Sequence, residues 1–145
     1  MLTFGKWQEL MDEEVQCGGR TLRQKADYEC TISMTRYLQE KAREIRLERG
    51  RASQLNADAE PGEIIFMRGL VGSLQWAPRE GMPQGAGDAS ILASTFPKPK
   101  VSDLLEANAD LRRLRHNDTP LRIRPIPLGK LKLFTFADSS LADQA

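Results

Sequence analysis

The stretch "SDLLEANADLRRLRH", residues 102–116, most constrains what this chain folds into. Leu104, Ala107, Leu111 and Leu114 recur at intervals of three and four, which places them on one face of a helix. Ser102 stands where an N-cap belongs, and Asp103 lies in the first turn, where a carboxylate favours the helix dipole. A helix with such a stripe must bury it against another apolar surface. The most hydrophobic window, "IIFMRGLVGSLQWA" (64–77), supplies one, because Ile64, Met67, Val71 and Leu74 share a helical face. Gly69 and Gly72 within it each cost roughly 1 kcal/mol relative to alanine, so they predict another backbone packed close.

Upstream, "VQCGGRTLRQKADYECTIS" predicts a hairpin: two extended runs around a polar centre, "RQKAD", with Gly18 and Gly19 marking a bulge or a close backbone approach. Cys17 and Cys30 flank the expected turn near Arg23 and Gln24 and would face each other across it, as reduced thiols. From Ser33 the period changes. Met34, Leu38, Lys41 or Ala42, and Ile45 recur at helical spacing up to Gly50, which stands as a C-terminal cap, with Arg43, Arg46 and Arg49 on another face. Residues 51–63, "RASQLNADAEPGE", are polar and mixed and predict a surface linker. "PREGMPQGAGD" should break the hydrophobic helix, "ASILAST" forms a short one, and "FPKPKVS" a rigid turn. "LRIRPI" and "LKLFTFA" are expected strands separated by the turn "PLGK". Trp7, Trp76, Tyr28 and Tyr37 are assigned to core packing. The expected class is α+β: a hairpin, a mainly helical region and the first strands of an incomplete sheet, divided at 1–50, 51–63, 64–118 and 119–145.

A formal net charge of +1 leaves no global pull towards nucleic acid or membrane, so any such attraction must come from local patches. No run approaches the roughly 20 apolar residues of a membrane span, and "MLTFGKWQELMDEE" lacks the apolar centre of a signal peptide. The expectation is therefore an intracellular chain, in cytoplasm or nucleus, with no membrane partner. One histidine, His116, and two cysteines without CxxC or HxxxH spacing speak against zinc. Without GxSxG, GxxxxGK or HExxH, neither an enzyme nor a small-molecule cofactor is expected of this chain by itself.

Two features carry possible chemistry. Arg112, Arg113 and Arg115 crowd one helix end, and Arg122 and Arg124 follow, alternating with Leu121, Ile123 and Pro125 on one face of a strand. Guanidinium groups clustered in this way neutralise successive phosphates and give salt-dependent, sequence-independent affinity. Asp103, Glu106, Asp110 and Asp118 dilute that field, and a solvated face of intrahelical ion pairs is the competing reading. Asp138 ends an alternating run, Leu131, Leu133, Thr135 and Ala137, at a position that suits a Mg²⁺ ligand. One acid cannot perform two-metal chemistry, and Asp143 would point to the opposite face of a continued strand. An exposed acid opening a loop is the simpler reading of these residues alone.

The order of these pieces resembles copia-type retrotransposon polyproteins. "RGLVGSLQWAPREGMPQGAGDASILASTFPKPKVSDLLEANADLRRLR" is similar to the segment that follows the reverse transcriptase active site, with Leu70, Val71, Gly72, Ser73 and Leu74 matching its Leu-Val-Gly-Ser-Leu helix and 104–115 its basic-ended helix. "FGKW" and "CGGRTLRQKADYECTISMTRYL" resemble the end of the palm and the start of the thumb; "LKLFTFADSSLA" resembles the first ribonuclease H strand. The resemblance makes Asp138 the first metal-binding carboxylate of that domain, with Mg²⁺ belonging to the intact family enzyme. It makes Arg112, Arg113, Arg115, Arg122 and Arg124 the candidates for contact with an RNA–DNA hybrid or duplex. The family's Arg-Pro-Asp turn is here Met82, Pro83 and Gln84, and its Trp after the acid is Leu141. The polymerase aspartates would precede Met1 and the later ribonuclease H acids would follow Ala145. The resemblance therefore implies a fragment that lacks both complete active sites and binds at most the template–primer backbone. The alternatives are a domesticated interaction scaffold, whose apolar window Ile64 to Trp76 packs on a protein partner, and a poorly folded remnant.

Overall fold

A computed structural model describes Met11, residues 13–117, residues 119–130 and Lys132. It is a mixed α+β fold. Strands β1 (Val15–Cys17), β2 (Arg20–Gln24), β3 (Cys30–Ser33) and β4 (Leu121–Ile123) form one antiparallel sheet in that order. Helices α1 (Thr35–Glu40), α2 (Pro61–Glu80), α3 (Ala86–Ser94) and α4 (Val101–His116) pack beside it.

The expected hairpin is a three-stranded meander. Gly18 and Gly19, with φ of 59° and 85°, make a tight two-residue turn between Cys17 and Arg20. Positive φ at both central positions matches the right-handed strand twist, which is why two glycines serve there. Gly19 is also a site of close approach, since a Cβ on it would lie 2.9 Å from the Tyr37 ring. The extra strand corrects the cysteine expectation. Cys30 pairs with Gln24, Cys17 pairs with Arg20, and the two free thiols stand on strands that are not neighbours. Strand β4, from the segment expected to open a later sheet, is hydrogen-bonded to β3, with Ile32 opposite Leu121 and Thr31 opposite Arg122.

The helical core follows the apolar periodicity closely. Met67, Leu70, Val71 and Leu74 of α2 meet Leu104, Ala107, Leu111 and Leu114 of α4, all at most 3% exposed, with Ala89 and Leu92 of α3 beside them. Burial of such side chains contributes roughly 1.5–3 kcal/mol each. Helix α2 begins at Pro61, inside the expected linker, because proline suits the first helical position and the Glu63 carboxylate accepts the Glu60 N–H at 2.8 Å. It runs through Pro78 to Glu80 before Gly81 ends it. Helix α4 starts one residue before the expected cap: Lys100 is the N-cap residue, and Asp103 accepts its N–H at 2.7 Å.

Two expectations fail in informative ways. The helix expected from Ser33 to Gly50 stops after Glu40. Met34, Leu38, Ala42 and Ile45 are all buried as the periodicity requires, yet the last two reach the core from irregular backbone. Tertiary partners override helix propensity there. Asn108, 5% exposed on the apolar face of α4, accepts the Ile45 N–H at 2.8 Å and donates to the Ile45 carbonyl at 2.9 Å. One carboxamide can bond both groups of one residue only if they point the same way, as in extended chain and not in a helix. The aromatic expectation fails at Tyr28, 67% exposed, and at Trp76, 39% exposed, whereas Tyr37 packs on the core. Trp7 lies outside the described residues.

The stretch 51–63 is docked rather than free. Its Leu55, Ala57 and Ala59 exchange backbone hydrogen bonds with Ser102, Val101 and Pro99 at the start of α4. Arg51 closes the stretch on itself, pairing with Glu63 at 3.0 Å and donating to the Asp58 carbonyl at 2.6 Å.

Candidate nucleic-acid interface

The five arginines singled out by the sequence divide into two groups. Arg115, with Leu111 and Leu114 anchoring its helix, turns inward. It donates to the Leu38 carbonyl at 3.1 and 3.2 Å and to the Ala42 carbonyl at 2.9 Å. The last carbonyls of a helix have no intrahelical donor, so this guanidinium completes the end of α1. Arg112 pairs with Glu44 at 2.8 Å, and Arg113 bridges Asp110, at 3.0 Å, and Asp88. The Asp110 and Asp88 carboxylates raise the Arg113 pKa above its ordinary value, chiefly through the Asp110 hydrogen bond. These ion pairs are the competing reading of the basic helix end, except that two of the acids come from other elements and not from α4.

Arg122 and Arg124 are exposed and make no hydrogen bond or ion pair to any described residue. Strand β4 ends at Ile123, so only Arg122 belongs to it. Its pairing brings in Arg23, expected at the hairpin turn but placed within β2, opposite Thr31. Arg23, Thr31 and Arg122 lie directly opposite one another across β2, β3 and β4, and opposed residues in antiparallel strands share a face. At about 4.8 Å per strand the two arginines stand roughly 10 Å apart on that face. Thr21 and Ser33, also opposed, extend it as a polar surface. The other face carries Leu22, Ile32 and Leu121 in one row, and Ile32 reaches the end of α2, where a Cβ on Gly81 would lie 3.0 Å from it.

The second surface is on α2. Its core face is Met67, Leu70, Val71, Leu74 and Ala77. At 100° per residue the opposite side carries Gly62, Ile65, Gly69, Gly72, Ser73 and Trp76, with Phe66 at its edge and the charged Arg68, Arg79 and Glu80 on the same side. Ile65 and Phe66 are each 67% exposed. Above Gly69 and Gly72 nothing lies within 4 Å of a built Cβ, so the backbone expected to pack there is not supplied by the described residues.

No family model, curated protein or solved structure matches the chain. Asp138 lies outside the described residues, as do Asp143 and, apart from Lys132, the stretch "LKLFTFA" expected as a strand. Among the described residues no group of three or more His, Cys, Asp or Glu is placed to hold a metal ion, and no helix is long and apolar enough to cross a membrane. Residue type alone does not single out Arg23; only strand register reveals its alignment with Arg122. The α2 face had a signal, a helix with two glycines and two aromatics at spacings of three, four and seven, but it was assigned to internal packing.

Proposed function

We propose that this chain is the connecting region of a copia-type reverse transcriptase, non-catalytic by itself, which holds the backbone of a template–primer duplex. The observation that carries the reading is the outward face of the helix containing the Leu-Val-Gly-Ser-Leu match. Two interior glycines cost about 2 kcal/mol in helix propensity, and the described residues return nothing for it. A partner that must come within backbone contact of α2 restores the balance, and the shallow minor groove of an A-like hybrid, with its sugars exposed, suits a helix face of glycine, serine and flat aromatic rings. Arg23, Arg122 and Arg124 supply cations for phosphates from the sheet, and Arg112 and Arg113 can exchange their carboxylate partners for phosphate at the surface. Arg115 is assigned a structural role.

The test is fluorescence anisotropy with a labelled RNA–DNA hybrid across a salt series. The reading predicts salt-dependent binding, and Arg122→Gln with Arg124→Gln should reduce the slope of log K against log salt by about 2, since each phosphate contact contributes about 0.9. An unchanged slope refutes the arginine assignment.

A second reading, a protein-interaction scaffold, draws support from the same α2 face, because the exposed Ile65, Phe66 and Trp76 suit an apolar partner. Association with protein that is insensitive to salt, in a chain that ignores the hybrid, would select it.

A further inference from the structure

Three cations follow the end of α1 without counter-charges. Ala42 and Ile45, 1% and 4% exposed, fix the backbone there: Arg115 donates to the Ala42 carbonyl at 2.9 Å, and Asn108 bonds both backbone groups of Ile45. Lys41, Arg43 and Arg46 stand beside these two anchors with exposed side chains. None of the three is in an ion pair or a side-chain hydrogen bond with any described residue. The acid among them, Glu44, is already taken: Arg112 pairs with it at 2.8 Å, and Arg115 lies 3.9 Å away. A cluster of one sign on a held backbone raises the local concentration of anions.

The irregular backbone brings Arg43 and Arg46 to one cavity of about 330 Å³, lined also by Glu44 and Phe66. That volume falls within the roughly 300–1,000 Å³ of small-molecule sites. A neighbouring cavity of about 220 Å³ shares Arg43, Glu44 and Phe66, and Lys41, Gly69 and Ser73 line it as well. Phe66, 67% exposed, thus offers a flat apolar ring beside two guanidinium groups. Gly69, at i+3 from it, adds no side chain, and nothing lies within 4 Å of a Cβ built there. A phosphate joined to a planar base matches this pairing, because guanidinium groups bind phosphate oxygens in a fork and every base has a face to stack on an aromatic ring. An acidic peptide matches the charge but brings no planar partner for the ring.

We infer that Arg43, Arg46 and Phe66 form a subsite for one unpaired nucleotide, its phosphate held by the two arginines and its base stacked on the phenylalanine. Lys41 adds charge for a neighbouring phosphate. The nucleotide is either free or carried by a single strand. The bases of a duplex are already stacked on both faces, so the occupant comes from outside any paired region. The assignment stands on the cavity and its side chains and not on the duplex reading, in which these three cations have no part.

The experiment uses the full chain and a short fluorescein-labelled oligodeoxyadenylate, read by anisotropy across a salt series. Saturable binding is expected. Arg43→Gln with Arg46→Gln should weaken it about tenfold and reduce the slope of log K against log salt by about 1.4, since each phosphate contact on a single strand contributes about 0.7. Phe66→Leu should weaken it about tenfold at an unchanged slope. All three side chains are exposed, so the circular dichroism spectra should match that of the parent chain. Removing the bases from the oligonucleotide should cost the parent about tenfold and the Phe66→Leu variant nothing, a coupling that neither charge nor fold stability produces. Displacement by micromolar AMP supports the site with a free nucleotide as its occupant, and displacement by oligonucleotide alone supports it with a strand. Absence of binding by strand and AMP at millimolar concentration overturns the inference, as does an unchanged salt slope, an abasic strand bound as tightly as the intact one, or displacement by inorganic phosphate as readily as by AMP. Binding of a blunt-ended hybrid to the parent chain, measured in parallel, reports on the duplex reading separately: its absence refutes that reading and leaves the nucleotide site standing.

Discussion

Replacing Asn108 with leucine tests how the irregular stretch 42–48 is held. The side chain is 5% exposed and bonds both the N–H and the carbonyl of Ile45, at 2.8 and 2.9 Å. Leucine is of comparable size, so little packing is lost, but two buried backbone groups lose their partners. Each such group costs about 1–3 kcal/mol. Because the stretch can move outward and regain water, the lower part of the range applies, giving a destabilisation of about 2–4 kcal/mol. That is a large share of the roughly 5–15 kcal/mol typical of a domain. In urea unfolding the midpoint should fall by about 1–2 M at an unchanged slope, taking slopes of about 1–3 kcal/mol/M. Amide exchange at Ile45 should accelerate beyond the change expected from global stability. The substitution Asn108→Asp keeps the acceptor but sets a buried carboxylate against the Ile45 carbonyl, so near neutral pH it should destabilise at least as much as leucine. A leucine variant within about 0.5 kcal/mol of the parent chain, with Ile45 exchange unchanged, would refute the reasoning.

Further outcomes follow from other contacts. Gly85→Ala should destabilise by about 1–3 kcal/mol, because the new Cβ would lie 2.9 and 3.2 Å from the two Leu114 methyls and 3.3 Å from Pro78; thermal unfolding reads the change. Arg115→Met should lower stability by about 1–3 kcal/mol through the orphaned Leu38 carbonyl, whereas Arg124→Gln should stay within about 0.5 kcal/mol, a contrast that one denaturation series measures. The Arg51 guanidinium, and then the Glu60 N–H, hold the Glu63 carboxyl below the usual range. A depressed folded value adds stability above the unfolded pKa, about 4.3, that is lost as pH falls through the folded value. Glu63→Gln should therefore flatten the acid limb of a stability–pH curve below about pH 4.3.

How much of this was legible in the sequence depended on whether a residue's neighbours were local. The α2 and α4 core faces followed from spacing alone, since an amphipathic helix carries its packing instruction in its own period. The end of α1 did not, because Asn108 and Arg115, which stop the helix by bonding Leu38, Ala42 and Ile45, lie more than sixty residues away. In the sheet, the Gly-Gly pair signalled a special backbone site, but its role as the turn between β1 and β2 emerges only from register. The same holds for the surface. Residue type marked Arg115 as a phosphate ligand, and its contacts make it a cap; residue type marked Gly69 and Gly72 as internal packing, and their open surroundings place them outside.

The measurement that tests the central claim most directly is hybrid binding by a Gly69→Ala, Gly72→Ala variant, with its stability recorded alongside. With no described neighbour within 4 Å, the methyl groups should raise helix stability by up to about 1 kcal/mol each. If α2 is the surface that a duplex approaches within backbone contact, the same change should weaken hybrid binding about tenfold while the fold becomes more stable. A variant that is more stable and binds the hybrid as tightly as the parent would contradict the account.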